Sequence, residues 1–218
     1  MTRAQRNALA ELILRAVREP EAYEALQVLA RVLDEAAPIE VPRAIGIRLG
    51  TLVWTSGAAA DQVRVVVSPD LAGVRAEAAE RVRRGLAAGE CVWRTGGAGA
   101  AMLAAPSLDA ALRRAAVLFD ARLYFEVHEE LEAVWREAGG ETRRALQGLL
   151  QVAVALHHAE AGNLASTRRL LESGRAKLAA YAPSWHGVAI GALLEELRVY
   201  ETALIENDMP RAPRLTVV

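Results

Sequence analysis

The sequence predicts a mainly α-helical protein, with a C-terminal antiparallel helical bundle and an N-terminal α or α+β accessory region. Three observations predict it. From Ser107 onward apolar residues recur at helical spacing, and the runs stop at glycine or proline. Residues 146–156 are nearly all apolar, the composition of a central helix buried on most sides. In the N-terminal half, by contrast, Val63, Val65 and Val67 alternate in a β-branched run, the pattern of a strand.

Taken in order, Leu9, Leu12, Ile13, Ala16 and Val17 repeat at helical spacing, and Glu19-Pro20 ends that helix. Pro20 suits the first turn of a second helix carrying Tyr23, Leu26, Leu29, Ala30 and Leu33, which Pro38 and Pro42 close. Residues 43–56 fit either state: Ile45, Ile47 and Leu49 alternate, while Ile45, Leu49 and Leu52 have helical spacing. After the valine strand, Pro69-Asp70 begins a helix through Leu86 that Gly89 ends. A short strand at Cys91-Val92-Trp93 would then complete a βα(β) unit lacking any phosphate-loop or dinucleotide fingerprint. Gly96-Gly97-Ala98-Gly99-Ala100-Ala101 has the composition of a linker between residues 1–100 and 101–218, the alternative being an ordered loop on one fused domain.

In the C-terminal half Ser107 caps a helix running from Leu108 to about Asp120. A helix over residues 124–135 follows, and Gly139-Gly140 stops it. The central helix ends at Gly162, and Asn163 caps a helix with Thr167, Leu170, Leu171, Gly174, Leu178 and Tyr181 on one face, broken by Pro183. The last helix carries Leu193, Leu194, Leu197, Tyr200 and Leu204. The tail from Met209, with Pro210 and Pro213, is expected to be loose or to pack on another surface.

The candidate site comes from two polar stripes. At about 100° per residue, Tyr124, Leu131 and Trp135 form an apolar face with His128, Glu129 and Glu132 on its flank, while Glu126 and Glu130 point to the other side. On the central helix, Gln147, Gln151 and His158 fall within roughly 40° of one another. If the two stripes face each other, His128, Glu129, Glu132, Gln147, Gln151 and His158 form one cluster, because buried polar groups need partners. Two chemistries fit. His128 and Glu132, completed by His158, are a candidate set of ligands for a divalent metal, with Glu129 as a further candidate donor, and the six together are a candidate site for a small polar ligand. Alternatively the imidazoles, carboxylates and amides satisfy one another in a closed core network, in which case Gln151→Leu is expected to destabilise. No nucleophile accompanies the cluster, so covalent catalysis is not expected. Arg143 and Arg144 are candidate anion holders near Gln147, and His186 is expected at the surface.

The run from Leu118 to about Tyr181 resembles the DUF309 family, a group of small helical proteins of unknown function. The resemblance rests on Leu118-Phe119-Asp120, Tyr124-Phe125-Glu126, His128-Glu129, Leu131-Glu132, Trp135, Leu146-Gln147-Gly148-Leu149, Gln151, Ala153-Val154-Ala155-Leu156, His158, Gly162-Asn163 and Leu170-Leu171. It covers the C-terminal half and implies a compact antiparallel helical fold, with no activity attached. Asp120-Ala121-Arg122 stands where the family usually has Asn-x-Gly, which removes the glycine of the turn before the motif helix; His157 stands where tyrosine is frequent.

Composition narrows the classes further. A net charge of -1 supplies no global field toward nucleic acid or an anionic membrane, so neither is expected as a partner. The single cysteine, Cys91, excludes an intramolecular disulfide framework and, with no signal-peptide pattern at the N-terminus, predicts a cytoplasmic protein. No uncharged apolar run approaches the ~18 residues of a transmembrane helix. Arginine nearly replaces lysine, with Lys177 alone, and alanine is abundant, as in a GC-rich bacterial genome. Two functions remain open: a small-ligand or divalent-metal pocket, hydrolysis among its uses, and a non-enzymatic structural or interaction module whose cluster is a buried network. A homo-oligomer or a protein partner engaged through the N-terminal region is compatible with either.

Overall fold

The computed structural model describes residues 1–35, 37–57, 61–94, 105–206 and 211–217. The chain divides into two compact units, Met1–Ala104 and Ala105–Val218. The glycine-rich segment 96–101 expected to link the halves lies outside the described residues.

Unit 1 is α+β. Helix α1 (Arg3–Ala16) opens on a capping box in which the Thr2 hydroxyl accepts from the Gln5 amide and the Gln5 side chain accepts from the Thr2 amide. Helix α2 (Pro20–Asp34) starts with Pro20 in its first turn and buries Leu26, Leu29 and Leu33. Strand β1 (Ile39–Pro42) leads into α3 (Arg43–Leu49), a 3-10 turn (Gly50–Leu52), β2 (Val53–Gly57) and β3 (Gln62–Val67). The sheet order is β1-β3-β2, and both outer strands run antiparallel to the central one. Val63 and Val65 face the core, as their alternation predicts. The ambiguous stretch 43–56 resolves into both states, helix first and strand after.

Two expectations for unit 1 are corrected. Pro38 and Pro42 do not simply close α2; Pro38 precedes β1 and Pro42 is its last residue, tolerated because β1 lies at the edge of the sheet. After a short helix α4 (Pro69–Ala72), helix α5 (Arg75–Arg94) continues straight through Gly89, so Cys91-Val92-Trp93 is helical and no βα(β) unit forms there. Gly89 is a packing residue: a Cβ there would stand 2.5 Å from the Tyr23 ring, and one at Gly85 would stand 2.9 Å from Ile13. The two glycines let α5 approach α1 and α2 closely. The Trp93 indole then donates to the Ala16 carbonyl at 3.0 Å, tying the end of α5 to the end of α1.

Unit 2 is helical: α6 (Leu108–Asp120), α7 (Tyr124–Glu137), α8 (Gly140–Glu160), α9 (Leu164–Leu178), a 3-10 turn (Ala179–Tyr181) and α10 (Ile190–Ile205). Ser107 and Asn163 cap α6 and α9 as expected, accepting from the Ala110 and Ser166 amides. The α6–α7 turn survives without its glycine. Arg122 takes φ 58°, and the bonds Leu123 N–H to Leu118 and Arg122 N–H to Phe119 complete a Schellman cap. The end of α8 uses the same pair of bonds around Gly162 at φ 74°. The Arg122 side chain, directed to solvent from this turn, pairs with Glu160 at 3.1 Å.

Helices α8 and α9 cross where Gly148 and Gly174 meet. A Cβ on Gly174 would stand 3.0 Å from the Gly148 carbonyl oxygen. The buried Thr167 hydroxyl bonds to the Asn163 carbonyl at 2.8 Å and reaches Ala155 across the same hairpin at 3.3 Å. Of the tail, residues 211–217 pack back on this unit: Leu215 is buried, its amide donates to Asp120, and Ala189 N–H donates to Thr216. Burial pushes the Asp120 carboxyl above its usual range, against the pull of that amide. Among the described residues, no helix is long and apolar enough to cross a membrane.

Candidate functional site

Helix α7 carries three of the candidate residues. Its apolar stripe, Tyr124, Val127 and Leu131, is buried. Along the flank, His128 Nδ1 lies 3.4 Å from the Glu129 carboxylate, with both side chains part-exposed at 31% and 42%. Glu132, one turn on, pairs with Arg136 at 2.9 Å. One ligand atom from each of His128, Glu129 and Glu132 can be chosen so that all three lie within 4.8 Å of one another.

Helix α8 runs antiparallel beside α7. Two contacts fix their register: the Phe125 and His157 rings are 6.0 Å apart, and the Arg143 guanidinium lies 3.8 Å over the Trp135 ring. Gln151 therefore stands level with Glu129, and His158 level with Arg122, about 9 Å along the axis from His128 at 1.5 Å per residue. His158 is outside the three-residue group and sits against His157, with ring centres 6.3 Å apart. Gln147 is exposed, and Gln151 and His158 are half-buried; a Cβ on Gly174 would stand 3.3 Å from the Gln151 Cβ, so Gln151 lies on the side of α8 that meets α9.

Gln151 Oε1 is buried without a hydrogen-bond partner, and so is the Trp135 indole nitrogen. A closed core network would satisfy Gln151, so the expectation for Gln151→Leu reverses. Replacing an unpaired acceptor by an apolar group of similar volume should raise stability by about 1 kcal/mol. A lowered melting temperature would reveal a partner for that oxygen.

The buried polar network of unit 2 lies elsewhere. Glu126 and Glu130, expected on the side of α7 away from the candidate residues, are each 1% exposed. Arg114 of α6, also buried, meets Glu130 through Nη2 at 2.8 Å and Nε at 2.9 Å, and donates to the Ala105 carbonyl at 3.2 Å. The other flank of α7 is thus covered, by α6. A signal for this was present: Arg114 stands between Ala111 and Leu118 on the apolar stripe of α6, where a solvated arginine has no place.

Arg143 is also accounted for. It caps the end of α7 by donating to the Trp135 and Ala138 carbonyls at 2.9 and 3.3 Å, in addition to stacking on the Trp135 ring. His186 is at the surface as expected, 2.9 Å from Asp109. Tyr124 is buried where α7 begins, and burial, aided by Glu160, pushes its hydroxyl well above the usual range. A groove of about 640 Å³ lies between α9 and α10, lined by Glu172, Arg175, Leu194 and Glu201 among others. It touches none of the candidate residues. Its walls are mainly apolar, and two of its charged residues, Arg175 and Glu201, pair with each other.

Unit 2 is thus a helical domain that displays a histidine and carboxylates along one helix. Residues 112–170, from within α6 to within α9, match the model of the family described as Domain of unknown function (DUF309). That segment contains all six candidate residues and lies in the C-terminal half, as the motif predicts. No curated protein and no solved structure matches the chain.

Proposed function

We propose that unit 2 binds a divalent cation through His128, Glu129 and Glu132 on the exposed flank of α7. The observation that carries this reading is the convergence of an imidazole and two carboxylates to within 4.8 Å. Zinc with N and O ligands at about 2.0–2.2 Å needs donor atoms roughly 3.5 Å apart, so the side chains must close by about 1 Å. Part-exposed rotamers allow that at small cost. Three protein ligands leave a coordination position open, and a cation so held lowers the pKa of bound water, the first requirement of hydrolysis.

A second reading rests on Arg136. Its ion pair with Glu132 already neutralises one carboxylate, as on a solvated helix with no ligand, and unit 2 would then be a non-enzymatic interaction module.

Thermal melts of untagged protein separate the two. A cation that binds only the native state should stabilise it by about 2.7 kcal/mol at a hundredfold excess over the dissociation constant. The gain should shrink in acid, as protons compete for the imidazole, and should vanish in Glu132→Gln. Melts that neither zinc, manganese nor a chelator moves would leave the interaction module as the function.

A further inference from the structure

The two edges of the unit 1 sheet are built differently. Leu52 accepts from the Ser68 amide at 3.2 Å, and Arg43 donates to the Asp61 carbonyl at 2.9 Å. With the strand registers, these bonds set the alternation of the antiparallel ladders. Trp54 and Ser56 direct their main-chain groups at β3; Val53, Thr55 and Gly57 direct theirs away from it. On the opposite edge, Glu40 and Pro42 point outward, and Pro42 has no N–H to offer. Edge β1 is therefore blunted by a proline and by the charged pair Glu40–Arg64. Edge β2, Val53-Trp54-Thr55-Ser56-Gly57, has no charge and no proline, is exposed from Trp54 to Gly57, and is paired to β3 alone among the described strands. Its Trp54 is 62% exposed.

We propose that β2 pairs antiparallel with β2 of a second copy of this chain, giving a six-stranded sheet across a twofold axis at Thr55. The strand is self-complementary in this arrangement. Thr55 faces Thr55 of the copy, Val53 faces Gly57 and Trp54 faces Ser56, so each large side chain meets a small one. The two Trp54 rings become diagonal neighbours, about 7–8 Å apart at the backbone and within reach of each other. No like charges oppose, since the strand carries none. Pro42 then stands at both outer edges, so the pairing closes at two copies instead of propagating. This inference concerns unit 1 and does not depend on the cation site.

Sedimentation of the full chain up to about 100 µM tests it. Wild type should reach twice the 23.4 kDa chain mass as concentration rises. Thr55→Pro removes an amide that points away from β3, so it leaves the β2–β3 hydrogen bonds in place, should keep the helical circular dichroism and should sediment as a monomer. Trp54→Lys, at an exposed position, should raise the dimerisation midpoint at least about tenfold and serves if the proline variant misfolds. Hydrogen exchange at the Thr55 and Gly57 amides should slow as wild type dimerises. A wild type that stays monomeric throughout, as expected if β2 serves a different protein, overturns the proposal. So does a dimer that Trp54→Lys leaves unchanged.

Discussion

Arg114→Met is expected to cost unit 2 about 3–5 kcal/mol, because it strands the Glu130 carboxylate, 1% exposed, without its guanidinium. The Ala105 carbonyl loses its donor at the same stroke. Urea unfolding of the full chain followed by circular dichroism would register the loss as a lower midpoint for the helical transition. Adding Glu130→Leu should restore part of it, since a packed apolar pair replaces a buried ionic one at little penalty. A loss under about 1 kcal/mol for the single variant would mean that Glu130 is satisfied without Arg114.

Gly174→Val should destabilise by about 3 kcal/mol, the upper part of the range for overpacking. Even the first added carbon meets the Gly148 carbonyl oxygen and Val152 at 3.0 Å. One obstacle is backbone, which cannot rotate aside as a side chain does, so α8 and α9 must separate. The gain in helix propensity over glycine, about 0.5–1 kcal/mol for alanine and less for a β-branched residue, does not offset this. Gly139→Ala is the control for added bulk, because nothing stands within 4 Å of its Cβ position, and its cost is limited to about 1 kcal/mol from alanine at the N-cap of α8. Equal melting temperatures for the two variants would refute the close crossing.

What the sequence revealed follows from the range of each signal. Helices with an unbroken apolar period were legible, down to the caps at Ser107 and Asn163. Strand β1 is hidden because its four residues, the last of them Pro42, carry too little alternation to count. The course of α5 past Gly89 was misread because glycine both ends helices and lets them pack, and only the position of Tyr23 tells which. At the candidate site, residue type and spacing grouped His128, Glu129 and Glu132, which share one helix. Placing His158 required the α7–α8 register, which the Phe125–His157 and Trp135–Arg143 contacts set. Burial of Glu126 and Glu130 depended on which flank of α7 is covered, and that is decided by α6.

The strand order β1-β3-β2 also has a kinetic side. Neighbours in sequence form the β2–β3 hairpin, but Ile39 must wait for Val65, across α3 and the whole of β2, before the third strand can dock. In unit 2 each of α6–α7, α7–α8 and α8–α9 closes between consecutive helices. Such local closure favours rapid folding, whereas the inserted central strand imposes a longer search. The helical unit should thus reach its core early, leaving the bond between Leu215 and Asp120 among the late contacts to form.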